Sequence, residues 1–248
     1  MSTPHQQRPR SERALQHWYL TPTGRLWLEQ EQQLLAERLS HHFGYLLLQL
    51  GSPLLFDTCR HSPIPKRLLL TEQWQQFTSL VGHYHHLPVA SDSIDLVILG
   101  HLLQFNDHPH AILREVERIL RPEGAVIILG FQPLRLWRIN HFIHQHHPSQ
   151  RGAELIASLR LFDWLRLLGL KIDYRHDYLP ASPVALPRWK SPLQRLNRAF
   201  NGGYMVSAIK RVIPLSIVRP KWRQPALLDI GLRGSQIEQP NRTCRKIE

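Results

Sequence analysis

Disulfides, membrane spans and acidic charge are what this chain lacks. Its 248 residues include only two cysteines. Cys59 and Cys244 are far apart, which excludes a disulfide-stapled scaffold and a cysteine-rich zinc module and points to a reducing, cytoplasmic setting. No apolar run approaches the ~20 residues that a bilayer-spanning helix needs. Residues 1–13 are polar, without the apolar stretch of a secretory signal. Acidic residues are scarce: 19 Asp and Glu stand against 31 Lys and Arg, a formal net charge of +12. That excess favours phosphate or anionic surfaces. The basic residues crowd towards the ends, however, at Arg8, Arg10 and Arg13 and again at Arg219, Lys221, Arg223, Arg242, Arg245 and Lys246. No aromatic-interleaved RNA motif accompanies them. A solvated basic tail and a nucleic-acid surface both fit this distribution. There is no internal repeat, and a hydrophobic content of 42% suffices for one α/β domain with extensions.

The stretch from Leu87 to Pro133 organises the rest. Two short apolar runs, Ile94–Leu99 and Ala125–Leu129, have the length and the Val/Ile/Leu content of strands buried on both faces. Between them, Asn106 and Asp107 offer a helix N-cap and Pro109 a first-turn proline. Ala111, Ile112, Glu115, Val116, Ile119 and Leu120 follow helical spacing, and Pro122 and Gly124 end the helix. Strand, helix and strand in that order predict a parallel crossover. Further strands are expected at 43–51, 66–71, 170–174 and 202–211. Helices are expected after Arg25 to about His42, with Leu28, Glu31, Leu34, Leu35, Arg38 and Leu39 setting an apolar stripe against a charged face, and over 153–168. Asp57–Pro65 reads as a loop.

This stretch resembles the second half of a class I S-adenosylmethionine-dependent methyltransferase domain of the type 11 group. The matching residues are Leu87-Pro88-Val89, Ser93-Ile94-Asp95, Leu113-Arg114-Glu115 and Arg118-Ile119-Leu120-Arg121-Pro122-Glu123-Gly124. Trp18, with Thr21-Pro22-Thr23-Gly24-Arg25, resembles the entry segment of a bacterial branch of the same group, and Phe131-Gln132-Pro133 resembles a Phe-Asn-Pro that follows the fifth strand in that branch. The resemblance implies a Rossmann-like α/β sandwich with a mostly parallel seven-stranded sheet and an antiparallel last strand. It implies a disordered N-terminus at 1–13 and a helical lid segment at 14–42, where Trp18 and Tyr19 either cap a pocket or pack the lid onto the core. The methyltransferase-like domain would span 43–218, with a recognition insert at about 177–201, and a basic disordered tail would follow at 219–248.

The same resemblance implies S-adenosyl-L-methionine as cofactor, at the carboxyl ends of the first, second and fourth strands. The expected lining residues are Gln49, Gly51, Ser52, Glu72, His83, Leu87 and Gly100. The family's strand-end pattern of acid and three glycines is degenerate here. Gln49 takes the acidic place, Gly51 keeps the first glycine, and Pro53 and Leu55 take the second and third. Glu72 is the candidate for the ribose hydroxyls or, alternatively, a helix-start residue. His83 stands where the family often has an adenine-binding Asp, and neutral imidazole can accept that hydrogen bond. His101 is the catalytic candidate, touching substrate or cofactor, with helix packing as its other role. His83, His85 and His86 carry no fixed metal-ligand spacing, so no metal is expected.

The expected function is S-adenosylmethionine-dependent methyl transfer to an acceptor that the residues do not identify. Such transfer needs in-line placement more than a dedicated base. One alternative is a binding or scaffold protein that keeps the fold without activity, motivated by Gln49, Pro53, Leu55 and His83. A weaker one is an RNA-binding or RNA-modifying protein, motivated by charge. The expected partners are the small-molecule methyl donor and its acceptor.

Overall fold

Consecutive residues of a strand face opposite sides of its sheet, so a strand covered on both sides is apolar throughout. The central strands have that character. The computed structural model describes residues 15–132, 158–178 and 202–211, and among them seven strands form one sheet. These are β1 (Leu46–Gly51), β2 (Lys66–Thr71), β3 (Leu80–Val81), β4 (Ile94–Gly100), β5 (Leu120–Phe131), β6 (Leu170–Tyr178) and β7 (Gly203–Lys210), in the spatial order β3-β2-β1-β4-β5-β7-β6. All neighbours pair in parallel except β7, which runs antiparallel to both β5 and β6. The expected sheet, with its antiparallel last strand, is therefore present.

Two apolar layers sandwich this sheet. On one face Leu48, Leu50, Val97, Leu99, Val126 and Ile128 pack under α2 (Pro109–Ile119) and α3 (Ser158–Leu167). On the other, Leu47, Leu96, Ile98, Ala125, Ile127 and Leu129 pack under Trp18, Tyr19 and α1 (Pro22–Leu39). Alternate residues of the same strands thus serve two cores, and polar alternation is absent for that reason.

Particular side chains set the element boundaries. The Asp95 carboxylate accepts from the backbone N–H of Tyr45 and Leu46, at 2.8 and 2.9 Å. It ties the start of β1 to β4, so the strand begins at Leu46 rather than at Phe43. Thr21 caps α1 by accepting from Gly24 N at 3.1 Å while its hydroxyl donates to Trp18 O at 2.7 Å. A Cβ on Gly24 would lie 2.0 Å from that Trp18 oxygen, so only glycine lets the preceding turn fold this close. The Trp…Thr-Pro-x-Gly spacing is thus an elbow between two helical pieces, and α1 ends at Leu39, short of His42.

The Leu113-Arg114-Glu115 and Arg118 positions have a structural role. Glu115 accepts from Leu87 N at 2.9 Å. Arg118 donates to Leu87 O, Val89 O and Ser91 Oγ at 3.0–3.1 Å and pairs with Glu115. The pair clamps the turn that leads into β4. The Arg118 guanidinium beside Glu115 holds its carboxyl below the usual range.

Three expected boundaries need correction. The segment expected as a loop from Asp57 is a 3-10 helix, Pro53–His61, whose first turn Pro53 enters with Ser52 at the N-cap. Proline suits that position because its missing N–H would be unbonded there anyway. His108, rather than Asn106 or Asp107, occupies the cap of α2, and Asn106 Oδ1 accepts from His108 N at 3.1 Å. β6 runs on to Tyr178, because it pairs with β7 up to that residue, with one irregularity between Ile172 and Tyr174.

The expected disordered N-terminus at 1–13, the expected insert over 179–201 and the expected tail at 219–248 lie outside the described residues, as do the histidine-rich stretch after Pro133 and the first turn of the helix expected from Ala153. The described residues all belong to one compact unit, 1–213. Among them no helix is long and apolar enough to cross a membrane.

Candidate active site

The carboxyl ends of β1 and β4 lie side by side, with Gly51 registered against Gly100. Gly51 has a φ of 94°, in the left-handed region that glycine favours. Beyond it, the chain's departure from the glycine pattern has a physical account. Gln49 is fully buried, with its amide donating to Ser52 O at 2.7 Å and its carbonyl accepting from the Cys59 thiol at 3.3 Å. A carboxylate in its place would face the Ser52 carbonyl with no donor between them. Burial pushes the Cys59 thiol up to about 12, so it stays protonated and able to donate. The 3-10 helix that follows lays Leu55 across the strand end. A Cβ on Gly100 would come within 2.9 Å of Leu55 Cδ1.

Glu72 directly follows β2, and its Oε1 stands 3.8 Å from Nδ1 of His83. His83 is exposed, while the Glu72 side chain keeps 20% of its surface open. The two sequence candidates for ribose and adenine therefore meet at the end of β2 and β3. Leu87 is buried with its peptide held by Glu115 and Arg118. Gly51, Ser52 and Gly100 share one strand edge. Gln49 lies beneath that edge, with both ends of its amide engaged inside the protein. Among the described residues no three His, Cys, Asp or Glu side chains gather as metal ligands.

His101 sits directly after Gly100, with a left-handed φ of 58°. Its N–H donates to Leu129 O at 3.0 Å, and its ring stacks on Phe131 with centroids 4.0 Å apart. Gln104 fixes Phe131 in turn: its amide donates to Phe131 O at 2.7 Å and accepts from Phe131 N at 3.0 Å. Nε2 of His101 is 3.2 Å from both carboxylate oxygens of Glu31. Glu31 is fully buried and also accepts from Tyr19 and Tyr178, each hydroxyl at 2.7 Å. Burial, and after it the Glu31 charge, push both tyrosines well above their usual value, so they remain donors. The rings of Trp18, Trp27 and Phe131 enclose the group.

Glu31, Tyr178 and Phe131 were not among the sequence candidates. One signal was available for Glu31: the buried line of α1 is Trp27, Glu31, Leu35, Leu39, a carboxylate at the four-residue spacing of an apolar stripe. Tyr178 comes from a distant strand, and nothing local marks it.

A family model described as "Methyltransferase domain" matches residues 62–128. The chain is similar to the uncharacterized protein YafS of Escherichia coli K12, 25% identical over 205 residues, covering 81% of this chain and 82% of that one. Its fold is similar to that of a Thermotoga maritima S-adenosylmethionine-dependent methyltransferase described as a possible histamine N-methyltransferase. The identity there is 16% and the TM-score 0.59, over 82% of this chain and 99% of the other. An Archaeoglobus fulgidus methyltransferase of the same class aligns with a TM-score of 0.56 and 14% identity, over 72% and 94% of the two chains. Residues 62–128 thus match a methyltransferase domain, and the fold is that of class I S-adenosylmethionine-dependent methyltransferases. The cofactor that this class implies is S-adenosyl-L-methionine.

The residues fit the cofactor's two halves differently. On the nucleoside side, the partly open Glu72 carboxylate stands beside His83, and both are free to accept hydrogen bonds from a ribose or an amino group. On the methionyl side, the end of Leu55 holds the space over Gly100. A terminal methyl of leucine moves by a rotamer change, so the cradle fits once Leu55 turns away.

Proposed function

We propose that this protein is an S-adenosylmethionine-dependent methyltransferase whose acceptor meets the donor at the edge of β4, beside His101. The observation that carries the reading is the pairing of Gly51 with Gly100 at the carboxyl edge, flanked by Glu72 and His83 on one side and His101 on the other. Glu72 would hold the ribose hydroxyls and His83 the adenine amino group, with Leu87 beneath them. Gly51, Ser52 and Gly100 would leave room for the methionyl part. The bound cofactor supplies an electrophilic methyl group on a sulfonium. The protein's own part is to exclude water with Trp18, Tyr19 and Trp27 and to place the acceptor in line. The setting is cytoplasmic, in keeping with two cysteines of which one, Cys59, is buried and reduced.

One observation favours a second reading, in which the fold serves binding without transfer: Leu55 fills the space over Gly100. Isothermal titration of the full chain with S-adenosylmethionine and S-adenosylhomocysteine separates the two. Micromolar dissociation constants support the first reading. No heat and no thermal shift at millimolar ligand refute it and leave the second.

A further inference from the structure

Parallel neighbours are joined by a crossover of about a dozen residues or more, usually a helix that covers one face of the sheet. β2 and β3 are parallel, yet residues 72–79 alone join them, without a helix. The sheet edge beyond the 3-10 helix Pro53–His61 therefore has no crossover helix of its own. Arg67, in register with Leu47, faces the same side as the layer under α1. A cavity of about 270 Å³ opens there, lined by Phe56, Asp57, Arg60, Pro65, Arg67 and Phe77. None of the residues expected to hold the donor lines it.

Two of its walls are costly to keep. Phe77 has a φ of 68°, in the left-handed region that a bulky side chain rarely enters, and its ring is 52% exposed. Thr78 holds that turn: its hydroxyl oxygen accepts from Gln75 N at 3.0 Å and bonds to Thr71 Oγ1, also at 3.0 Å. The strained backbone thus keeps Phe77 at the cavity, its ring centroid 6.4 Å from that of the partly buried Phe56. Arg67 is the other costly wall. Its partly buried guanidinium has five N–H groups, and its one hydrogen bond among the described residues is long, 3.4 Å to Cys59 O. No carboxylate among the described residues pairs with it. Arg60 adds a second cation. Its partner Asp57 lies 2.9 Å away, but both side chains are largely exposed, so water screens that pair.

We propose that this cavity is a binding site for a small compound with one aromatic ring and one oxyanion, a carboxylate or a phosphate. The planar fork of Arg67 matches either oxyanion through two parallel N–H bonds. Phe56 and Phe77 offer the apolar faces on which a flat ring packs, at centroid separations of about 4.5–7 Å. The volume lies just below the roughly 300–1,000 Å³ of ordinary ligand pockets, which limits the occupant to a single ring and its anionic group. Asp57 faces the same cavity beside Arg60 and disfavours a second anionic group. The net charge of +12 draws such an anion towards the protein. The site stands apart from the donor edge and holds whether or not the fold transfers methyl groups.

The test titrates the full chain with phenyl phosphate and benzoate, which carry both features, and with inorganic phosphate and benzyl alcohol, which carry one each. At least one of the first two should bind with a dissociation constant of about 1 mM or lower, and about tenfold or more tightly than either half. The tighter of the two identifies the oxyanion. Nuclear Overhauser contacts from the probe's ring protons should reach Phe56 or Phe77 in the unsubstituted protein, and saturating S-adenosylmethionine should leave them in place. Arg67→Gln and Phe77→Gly should each weaken binding about tenfold or more. Phe77→Gly should do so without lowering thermal stability, because glycine takes a left-handed φ without strain. No binding of either aryl anion at about 10 mM overturns the proposal. So does binding no tighter than that of inorganic phosphate alone, or probe contacts confined to other residues. Those contacts are read in the unsubstituted protein, so they decide the matter even where an Arg67 variant fails to fold.

Discussion

Leucine 55 should show opposite effects on stability and on donor affinity. It is 3% exposed, and its end lies where a Cβ on Gly100 would be, 2.9 Å from that position. If the donor needs this space, binding must first turn Leu55 out of its contacts. Exposing a buried leucine costs about 1.5–3 kcal/mol. That cost is subtracted from the donor's affinity in the unsubstituted protein, and at about 1.4 kcal/mol per decade it weakens binding roughly 10- to 150-fold. Leu55→Ala removes the obstacle, so its dissociation constant for S-adenosylmethionine should be at least about tenfold lower. The same substitution leaves a cavity in the core and should lower the free energy of unfolding by about 2–4 kcal/mol. Titration calorimetry measures the first effect and urea denaturation the second. Saturating donor should then stabilise the variant more than the parent, by the mass-action term. An affinity that is unchanged, or that falls together with stability, would refute the idea that Leu55 occupies the donor's place.

Two further outcomes follow from ion pairs and burial. Arg118→Met removes the donor to Leu87, Val89 and Ser91 and should cost about 1–3 kcal/mol in urea denaturation. Because Arg118 holds the Glu115 carboxyl below its ordinary value, the pair's contribution is full above the unfolded carboxylate pKa and is lost as pH falls through the lowered one. The gap between parent and variant should therefore close in acid. His42 is pushed down to about 4, by burial first and by the neighbouring Arg38 second. Its neutral form is favoured in the fold, whereas in the unfolded chain it takes a proton near pH 6.5. Stability should thus decline from pH 6.5 to about 4, by about 1–2 kcal/mol once solvent screening at this half-buried ring is allowed for. Thermal or urea curves of His42→Gln should lack that part of the slope. An identical slope in both proteins would count against the assignment.

Sequence alone determined the inner strands of the sheet, while the two-residue edge strand β3 and the early start of β5 at Leu120 were not expected. Val, Ile and Leu fill both registers of β4 and β5, and such runs have one stable use, a strand covered on two sides. The order of Leu87-Pro88, Asp95, Glu115 and Arg118 was legible for the same kind of reason: each answers a neighbour on an adjacent element by a backbone hydrogen bond, and such bonds fix spacing. Gly51, Gly100, Glu72 and His83 could be placed because strand ends in this topology converge on one edge. What tertiary structure decided is what happens above that edge. Pro53 and Leu55 break a glycine pattern, but only the folded 3-10 helix shows Leu55 against Gly100 and Gln49 locked between Ser52 and Cys59. His101 is held by Glu31 on α1, and Glu31 in turn by Tyr19 from the preceding helical piece and Tyr178 from a far strand. A buried carboxylate is recognised by the donors around it, and donors brought together from across the chain leave no periodicity for one segment to display.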